Sequence, residues 1–292
     1  MALPNFFCPG TMRSGTTTLH FILSQHPDIY LPERKETRFF MWDSLYARGL
    51  KYYEDTYFSH WKNQKAVGEV GPDYMMFDTV PKRIRECLGD RVRFIFMLRQ
   101  PAERAFSHYW FLHPRGVEER SFEEVMESPE RECTASEWQI YTYCYVSRGY
   151  YVAQIHNFLD LFPRNQMFFV IFEDDFLLRR KETIGNILDF LGVKVLELNV
   201  DLRRNLPIKP RFNAINRFVR NTNPIRKIAR HFVPSRYWRN RILYEIEHRN
   251  RVEFIPEKIS PSYRKYLTEK FYAGEIRKLE DLLGRSLDIW RQ

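Results

Sequence analysis

Residues 6–23 have the sequence FFCPGTMRSGTTTLHFIL, and this stretch decides the fold. An apolar run meets a proline–glycine pair, which is followed by a short polar loop and then by a segment with helical spacing. In that last segment Leu19, Ile22 and Leu23 fall on one face, as in an amphipathic helix that packs on a sheet. The stretch therefore predicts a β-strand, a glycine-flanked loop and a helix, in that order.

The loop between Gly10 and Gly15 predicts a phosphate-binding site. Four residues separate the two glycines, which is the spacing of a P-loop. Glycines let backbone N–H groups approach an anion, and the helix N-terminus adds unpaired donors. Thr16 stands where a P-loop for nucleoside triphosphates has its lysine, and the cation is Arg13 inside the loop. The pattern favours a donor other than ATP with Mg²⁺, with a capped strand–turn–helix as the structural alternative.

The composition is that of a globular protein with one basic segment. The 292 residues are 44% hydrophobic and 16% aromatic, with a formal net charge of +9. Residues 203–251 hold 14 Lys/Arg and two Glu, which leaves 32 basic and 35 acidic residues elsewhere. This segment predicts a basic surface or groove for an anionic partner.

The cysteines and the apolar runs predict a cellular location. Cys8, Cys87, Cys133 and Cys144 are dispersed, so they form neither a metal-binding pattern nor a disulfide framework. The N-terminus enters a core strand within a few residues, and no run reaches the ~20 apolar residues that span a bilayer. We therefore expect a protein of the reducing cytoplasm without a signal peptide or a transmembrane segment.

Apolar runs and helical patterns alternate along the rest of the chain. Strands are predicted at residues 66–70, 93–98 and 167–172, and helices at residues 79–88, 149–162, 181–191 and 262–283. Such alternation favours a mainly parallel sheet covered by helices. The predicted fold class is α/β, with residues 1–292 as a single domain.

A second anion site is predicted after the strand at 93–98. Arg99 comes at the carboxyl end of that strand, and Pro101 is placed to open the next helix. Arg104 and Ser107 are three residues apart on this helix and are therefore neighbours. Two guanidiniums and a hydroxyl suit a phosphate, although a salt bridge and a helix cap would explain the same residues.

Taken together, the two motifs make the chain resemble the sulfotransferases that use 3′-phosphoadenosine 5′-phosphosulfate (PAPS), in particular the bacterial and heparan-sulfate-type branch. Residues 9–17 match the 5′-phosphosulfate loop of that family. Its 3′-phosphate motif, RxPxxRxxSxY, is matched by Arg99, Pro101, Arg104, Ser107 and Tyr109. The resemblance runs nearly end to end and implies a P-loop-like sulfotransferase fold, with PAPS as donor, 3′-phosphoadenosine 5′-phosphate (PAP) as product, and no metal.

The resemblance also implies which residues hold the donor. The loop residues are Arg13, Ser14, Gly15, Thr16 and Thr17, and the 3′-phosphate residues are Arg99 and Ser107. Tyr151, Lys209 and Arg211 match positions that close over the nucleotide, with the basic segment 203–251 covering the cleft. Arg13 would stabilise charge on the bridging oxygen, but an arginine is a poor proton donor.

For the acceptor, the resemblance implies in-line transfer to a hydroxyl or an amine that loses its proton to a glutamate. Glu36 matches the base of the heparan-sulfate-type branch, and Glu69 is the second candidate. Val70 stands where related enzymes often carry a lysine. His20 is interpreted as a packed histidine. A carbohydrate or a small natural product is the favoured acceptor.

Two other functions compete with this hypothesis. A P-loop nucleotide-dependent kinase would bind ATP with Mg²⁺ in preference to PAPS, but it lacks its lysine at Thr16. A non-catalytic polyanion-binding protein would show salt-sensitive binding without turnover. Because no nucleic-acid motif is recognised, nucleic acid is not a predicted partner.

Overall fold

The computed structural model describes residues 3–128, 142–201, 208–212, 235, 241, 245–246 and 249–291. The chain divides into two units, each described here by itself. The first unit comprises Met1–Ala105, Ser128–Asn205 and Ile259–Gln292, and the second comprises Phe106–Glu127 and Leu206–Lys258. That residues 1–292 behave as one domain stays a prediction.

A five-stranded parallel sheet forms the centre of the first unit. Its strands are β1 (Phe6–Gly10), β2 (Ile29–Tyr30), β3 (Ala66–Val70), β4 (Arg93–Leu98) and β5 (Met167–Ile171). They are arranged in the order β2-β3-β1-β4-β5, and every neighbouring pair is parallel. The predicted α/β fold is therefore confirmed. The carboxyl ends of all five strands meet at one edge, where ligands bind in open sheets of this kind.

Ten α-helices lie wholly within the described ranges, together with shorter 3₁₀- and π-helical segments. They are α1 (Thr16–Leu23), α2 (Asp43–Tyr46), α3 (Gly49–Tyr57), α4 (Thr79–Leu88), α5 (Pro101–Leu112), α6 (Phe122–Glu127), α7 (Tyr151–Leu159), α8 (Arg180–Leu191), α9 (Pro261–Leu267) and α10 (Ala273–Leu283). The helix predicted at 79–88 has the bounds of α4. The one predicted at 262–283 is divided by a π-helical turn, Thr268–Tyr272, because the chain bulges there between α9 and α10.

The core explains why the apolar runs are strands. Phe94 to Leu98 in β4 are all fully buried, as expected for a central parallel strand with both faces covered. Leu19, Ile22 and Leu23 of α1 lie in one apolar cluster with Phe6 of β1. The predicted helix face thus packs on the sheet, and this packing fixes the loop between β1 and α1.

The second unit contains α6, most of α5 and a small hairpin. Strands β6 (Ile208–Pro210) and β7 (Arg251–Glu253) pair antiparallel. The rings of Phe106 and Phe122 lie 4.9 Å apart, centroid to centroid, and those of Trp110 and Phe254 lie 5.8 Å apart. Most of the basic segment 203–251 lies outside the described residues, so its covering role stays a prediction.

The cysteines depart from the prediction. Cys144 is disulfide-bonded, whereas Cys8 and Cys87 are free thiols. Cys133 lies outside the described residues. The prediction of no disulfide was wrong at Cys144, because spacing along the sequence does not report whether two cysteines reach the Cα distance of about 5.5 Å that a bridge needs.

Candidate active site

The loop between β1 and α1 has the backbone of an anion cradle. Its start is tied to β4, since the Thr11 N–H donates to the carbonyl of Met97 (2.7 Å). Arg13 and Gly15 adopt left-handed conformations, with φ of 73° and 82°. A Cβ at Gly15 would come within 2.9 Å of the ring of Phe176. The glycine therefore permits both the turn and the close packing, and α1 begins directly after it, so the loop leads into a helix N-terminus of the kind that favours anions.

Ser14 carries the clearest sign of a missing partner in this loop. Its side chain is fully buried, and its hydroxyl makes no hydrogen bond within the described part of the chain. A buried hydroxyl left without a partner costs about 1–3 kcal/mol. Arg13 and Thr17, on either side, are only partly buried. The loop thus combines an enclosed hydroxyl with accessible side chains around it.

Arg99 connects the second anion motif to this loop. It follows β4, and its Nη1 donates to the carbonyl of Arg13 (3.1 Å). Its Nε lies 3.9 Å from the carboxylate of Glu173, and its Nη2 lies 3.4 Å from that of Glu103. The guanidinium also stands 5.1 Å from the ring centroid of Phe172. Arg99 is therefore a positioned cation beside the loop.

Buried groups hold Arg99 in place. The hydroxyl of Tyr151 donates to the Arg99 carbonyl (2.7 Å) and is fully buried, so this hydroxyl is already occupied by the backbone. Glu173 accepts from the Gln100 N–H (3.0 Å) and from Nε1 of Trp290 (2.8 Å). Burial raises the pKa of Glu173, and the charge of Arg99 opposes that shift. Glu173 was missed by sequence reasoning, although a carboxylate just past an apolar strand was an available signal.

Arg104 is buried, unlike Arg99, whose side chain is partly exposed. It is fully buried and donates to the carbonyl of Tyr145. Burial is also the main reason why the pKa of Arg104 is lowered. The sequence placed both guanidiniums at one anion, whereas the structure encloses Arg104 inside the first unit.

Glu36 lies on the segment that follows β2. Its carboxylate is 2.6 Å from Nζ of Lys35 and 3.9 Å from Nη2 of Arg38, and its side chain is 31% exposed. The pKa of His20 on α1 is lowered to about 4, first by burial and then by the charge of Lys35. The charge of Glu36 acts in the opposite direction and raises this pKa. The Glu36 segment therefore lies near α1, and His20 is buried, as expected for a packed histidine.

Glu69, at the end of β3, is enclosed. Its side chain is fully buried, and its carboxylate accepts hydrogen bonds from Thr37, Tyr53 and Tyr74. Burial raises the pKa of Glu69, and these hydrogen bonds act in the opposite direction. The two glutamates proposed as bases thus differ in access: Glu36 is partly exposed and Glu69 is not.

A buried ion pair lies close to Glu36. Nη1 of Arg148 is 2.6 Å from Asp73, and both side chains are buried. The pKa of Asp73 is raised, chiefly by burial. The charges of Arg148 and Arg38 lower this pKa, and the charge of Glu36 raises it. Arg148 was missed by sequence reasoning. The available signals were a carboxylate in the turn after β3 and an arginine directly before the Gly-Tyr-Tyr segment.

Three predicted donor residues belong to the second unit. Ser107 lies on α5 and is partly buried. Lys209 on β6 is exposed, with Nζ 5.6 Å from the ring centroid of Phe254. Arg211 is exposed as well, and its N–H donates to the carbonyl of Asn250 (2.6 Å). Their roles toward the donor stay predictions.

Comparison with known proteins gives the family. The sulfotransferase domain family matches residues 3–271. A solved sulfotransferase from Alicyclobacillus acidocaldarius is 25% identical, with a TM-score of 0.69 and coverage of 100% of both chains. The chain therefore belongs to the sulfotransferase family, and the family predicted from the two motifs is confirmed.

Curated relatives share part of their length with this chain. The membrane-associated sulfotransferase kil1 of Dictyostelium discoideum is 37% identical over 113 residues, which are 38% of this chain and 23% of that protein. Human bifunctional heparan sulfate N-deacetylase/N-sulfotransferase 3 is 30% identical over 180 residues, or 58% of this chain and 20% of that protein. The chain spans about a fifth of the length of these relatives.

None of the described helices is long and apolar enough to cross a membrane. No group of three or more His, Cys, Asp or Glu side chains in those residues is arranged to hold a metal ion.

Proposed function

We propose that this chain transfers a sulfuryl group from PAPS to a hydroxyl or an amine of a carbohydrate or a small natural product. The observation that carries the proposal is the loop itself, where the buried Ser14 hydroxyl lacks a partner within the described residues. The hydrogen bond from Arg99 to the Arg13 carbonyl brings the second anion motif to that loop.

The residues of the first unit fit such a donor. The loop amides, Ser14 and Thr17 would hold the 5′ end, since a helix N-terminus and hydroxyls favour phosphate and sulfate oxygens. Arg99 would hold the 3′-phosphate, because a guanidinium matches phosphate in a bidentate manner. Its present carboxylate neighbours, Glu103 and Glu173, keep it oriented.

The bound donor would supply a sulfuryl group on a bisphosphate leaving group. Arg13 would stabilise the negative charge that develops on the oxygen between phosphorus and sulfur. The loop N–H groups would share that charge, since glycine-flanked loops of this kind present backbone N–H groups to anions. Arg13 stays protonated at neutral pH, so its contribution is electrostatic and does not include delivery of a proton.

Glu36 is the base that we favour, with Glu69 as the weaker candidate. When the acceptor oxygen or nitrogen attacks the sulfur, its proton would pass to the carboxylate of Glu36 as the bond to the bisphosphate breaks. The partial exposure of Glu36 permits contact with an acceptor. Glu69 has no such access because it is fully buried.

Relatives support the acceptor class. The names of several relatives specify heparan sulfate N-deacetylase/N-sulfotransferases, which favours a carbohydrate amine or hydroxyl here as well. The cytoplasmic location stays a prediction. The disulfide at Cys144 argues against it, because structural disulfides persist mainly in oxidising compartments.

Calorimetric titration with PAP, and in parallel with ATP and Mg²⁺, tests the donor site. We expect metal-independent binding of PAP in the micromolar range, weakened about 100-fold or more in Arg99→Ala because a charged hydrogen-bonding group is lost. Arg83→Ala is the matched control: Arg83 is also half-buried, ion-paired and bonded to a backbone carbonyl. It should bind PAP as the wild type does.

Turnover is then measured with sulfur-labelled PAPS and a panel of amino sugars, neutral sugars and phenols. Glu36→Gln should bind PAP normally and lose most of the transfer. Binding of ATP with Mg²⁺ in place of PAP would support a kinase instead. Binding of polyanions without any turnover would support the non-catalytic alternative.

A further inference from the structure

The environment of Glu69 is built as a hydrogen-bonded anchor. Oε1 accepts from the Thr37 N–H (3.1 Å), the Thr37 hydroxyl (2.7 Å) and the Tyr74 hydroxyl (2.8 Å). Oε2 accepts from the Tyr53 hydroxyl (2.5 Å). Both oxygens are therefore occupied, and the residue is fully enclosed. Burying a carboxylate is costly unless such donors compensate it, and here four of them do.

The anchor joins the sheet to the segment that carries Glu36. Glu69 is paired in register with Phe7 of β1, the strand that leads into the phosphosulfate loop. Two of its four hydrogen bonds come from Thr37, the residue directly after Glu36. The anchor thus connects the neighbour of the proposed base to the strand beside the donor loop.

Thr37 also shapes the turn that follows it. Its hydroxyl oxygen accepts from the Phe39 N–H (3.1 Å), and Arg38 between them has a φ of 62°. Beyond the turn the ring of Phe39 stacks on Tyr53 at 4.4 Å. The same tyrosine therefore donates to Glu69 and packs on the far end of the turn. The backbone of residues 37–39 is held from both sides.

The side chain of Glu36 lacks this kind of support. It forms ion pairs with Lys35 and Arg38, whose long side chains lose rotamer freedom when they are fixed. The position of the Glu36 carboxylate is therefore set first by its backbone, which Thr37 ties to Glu69.

We infer that Glu69 and Thr37 are positioning residues that hold the Glu36 carboxylate at its distance from the phosphosulfate loop. The inference rests on the proposed function, in which Glu36 takes the acceptor proton. Displacement of a reacting group by ~1 Å can reduce turnover by roughly 100-fold. An anchor one residue from the base therefore acts on kcat and leaves donor binding, which uses other residues, unchanged.

The test compares two identical deletions of a buried hydroxyl. Thr37→Val removes the hydrogen bond to Glu69 and the acceptor for the Phe39 N–H. Thr183 lies on α8, and Thr183→Val removes the hydrogen bond from its hydroxyl to the carbonyl of Asp175 (2.8 Å). Both threonines are buried, so the two variants impose the same chemical change. Thr37→Ser keeps the hydroxyl and serves as the conservative rescue.

We expect Thr37→Val to lower kcat at least about tenfold, while the KM for PAPS and the affinity for PAP stay within about twofold. Thr183→Val should leave kcat unchanged, and Thr37→Ser should recover most of it. Hydrogen exchange of peptides covering residues 36–42 should accelerate in Thr37→Val and remain as in the wild type in Thr183→Val.

Two results would overturn the inference. One is a Thr37→Val protein with wild-type kcat, and the other is an equal loss in Thr183→Val, which would trace the effect to general destabilisation. The proposed function fails in a different way, namely through a wild-type protein that binds no PAP and releases none from PAPS. Unchanged exchange of residues 36–42 in Thr37→Val would then reject the anchor independently of activity.

Discussion

The loop between β1 and α1 and the Glu69 anchor both enclose polar atoms, yet the hydrogen bonding of those atoms is opposite in the two regions. In the loop, the hydroxyl of Ser14 is enclosed without a hydrogen bond from the described residues. In the anchor, both oxygens of Glu69 are saturated by four donors. The protein thus satisfies the buried polar atoms of the anchor by itself, whereas it does not supply a partner for the Ser14 hydroxyl from the described residues.

The difference separates two uses of buried polarity. A buried group whose hydrogen bonds are all made stabilises the fold, and its removal leaves its former partners buried without a hydrogen bond. An unsaturated group costs stability until a ligand satisfies it, so it marks a place where binding can recover that cost. Substitutions in the two regions should therefore have opposite effects on folding and on binding.

The largest expected effect is on the anchor. Glu69→Ala leaves the hydroxyls of Tyr53 and Tyr74 and both donors of Thr37 without their acceptor and opens a cavity, so the free energy of unfolding should fall by about 4 kcal/mol. Urea denaturation measures it. Asp55→Ala, which removes an exposed ion pair with Lys51, should leave the midpoint unchanged. Similar urea midpoints for Glu69→Ala and Asp55→Ala would contradict a stabilising role of the anchor.

The loop should respond in the opposite sense. Ser14→Ala removes a hydroxyl that has no partner among the described residues, so the stability without ligand should stay level or rise by up to about 1 kcal/mol. The affinity for PAP should drop about tenfold, because a hydrogen bond to a charged group is worth about 1.5 kcal/mol. Thermal unfolding with and without PAP gives both numbers. A clear loss of stability in the ligand-free variant would show that Ser14 belongs to the scaffold.

The smallest expected effect is a pH dependence of the anchor. Burial holds the pKa of Glu69 above its ordinary value in the folded chain, and the facing hydroxyls of Tyr53 and Tyr74 stay neutral because their pKa values are raised well above the usual range. Between the unfolded and the folded pKa the folded chain binds more protons than the unfolded one. The contribution of Glu69 to stability is therefore full below the ordinary pKa and declines as the pH rises through the folded pKa.

The measurement is the difference in unfolding free energy between the wild type and Glu69→Gln, between about pH 4 and pH 7. This difference should shift in favour of the wild type as the pH falls. A difference that is constant across the range would mean that Glu69 titrates alike in both states.

Much of the fold was accessible from the sequence because local signals and burial agree. The local apolar pattern predicts which side chains are buried, both in the run of β4 and in the stripe of Leu19, Ile22 and Leu23 on α1. The two motifs that indicated the family could be recognised for a similar reason, since each is a short stretch at the end of one strand. These features depend on neighbours in sequence, which a linear pattern contains.

The rest of the site depends on distant partners. Glu69 and Glu36 are similar carboxylates in the sequence, and only the convergence of Tyr53 and Thr37 on Glu69 distinguishes them. Arg148 is likewise defined by Asp73, 75 positions away in the chain. None of these pairings leaves a periodic or compositional trace.

The hydrogen bond from Arg99 to the Arg13 carbonyl has a thermodynamic consequence. A ligand group that binds the guanidinium of Arg99 would also change the hydrogen bond that this guanidinium donates to the Arg13 carbonyl. The energy of Arg13 in its left-handed conformation would change with it. Coupling of this kind is reciprocal, so occupancy at either end changes the affinity at the other by the same factor. Under the proposed function, the two phosphate subsites would then be cooperative, and a nucleotide that lacks either phosphate would lose more affinity than its missing contacts alone account for.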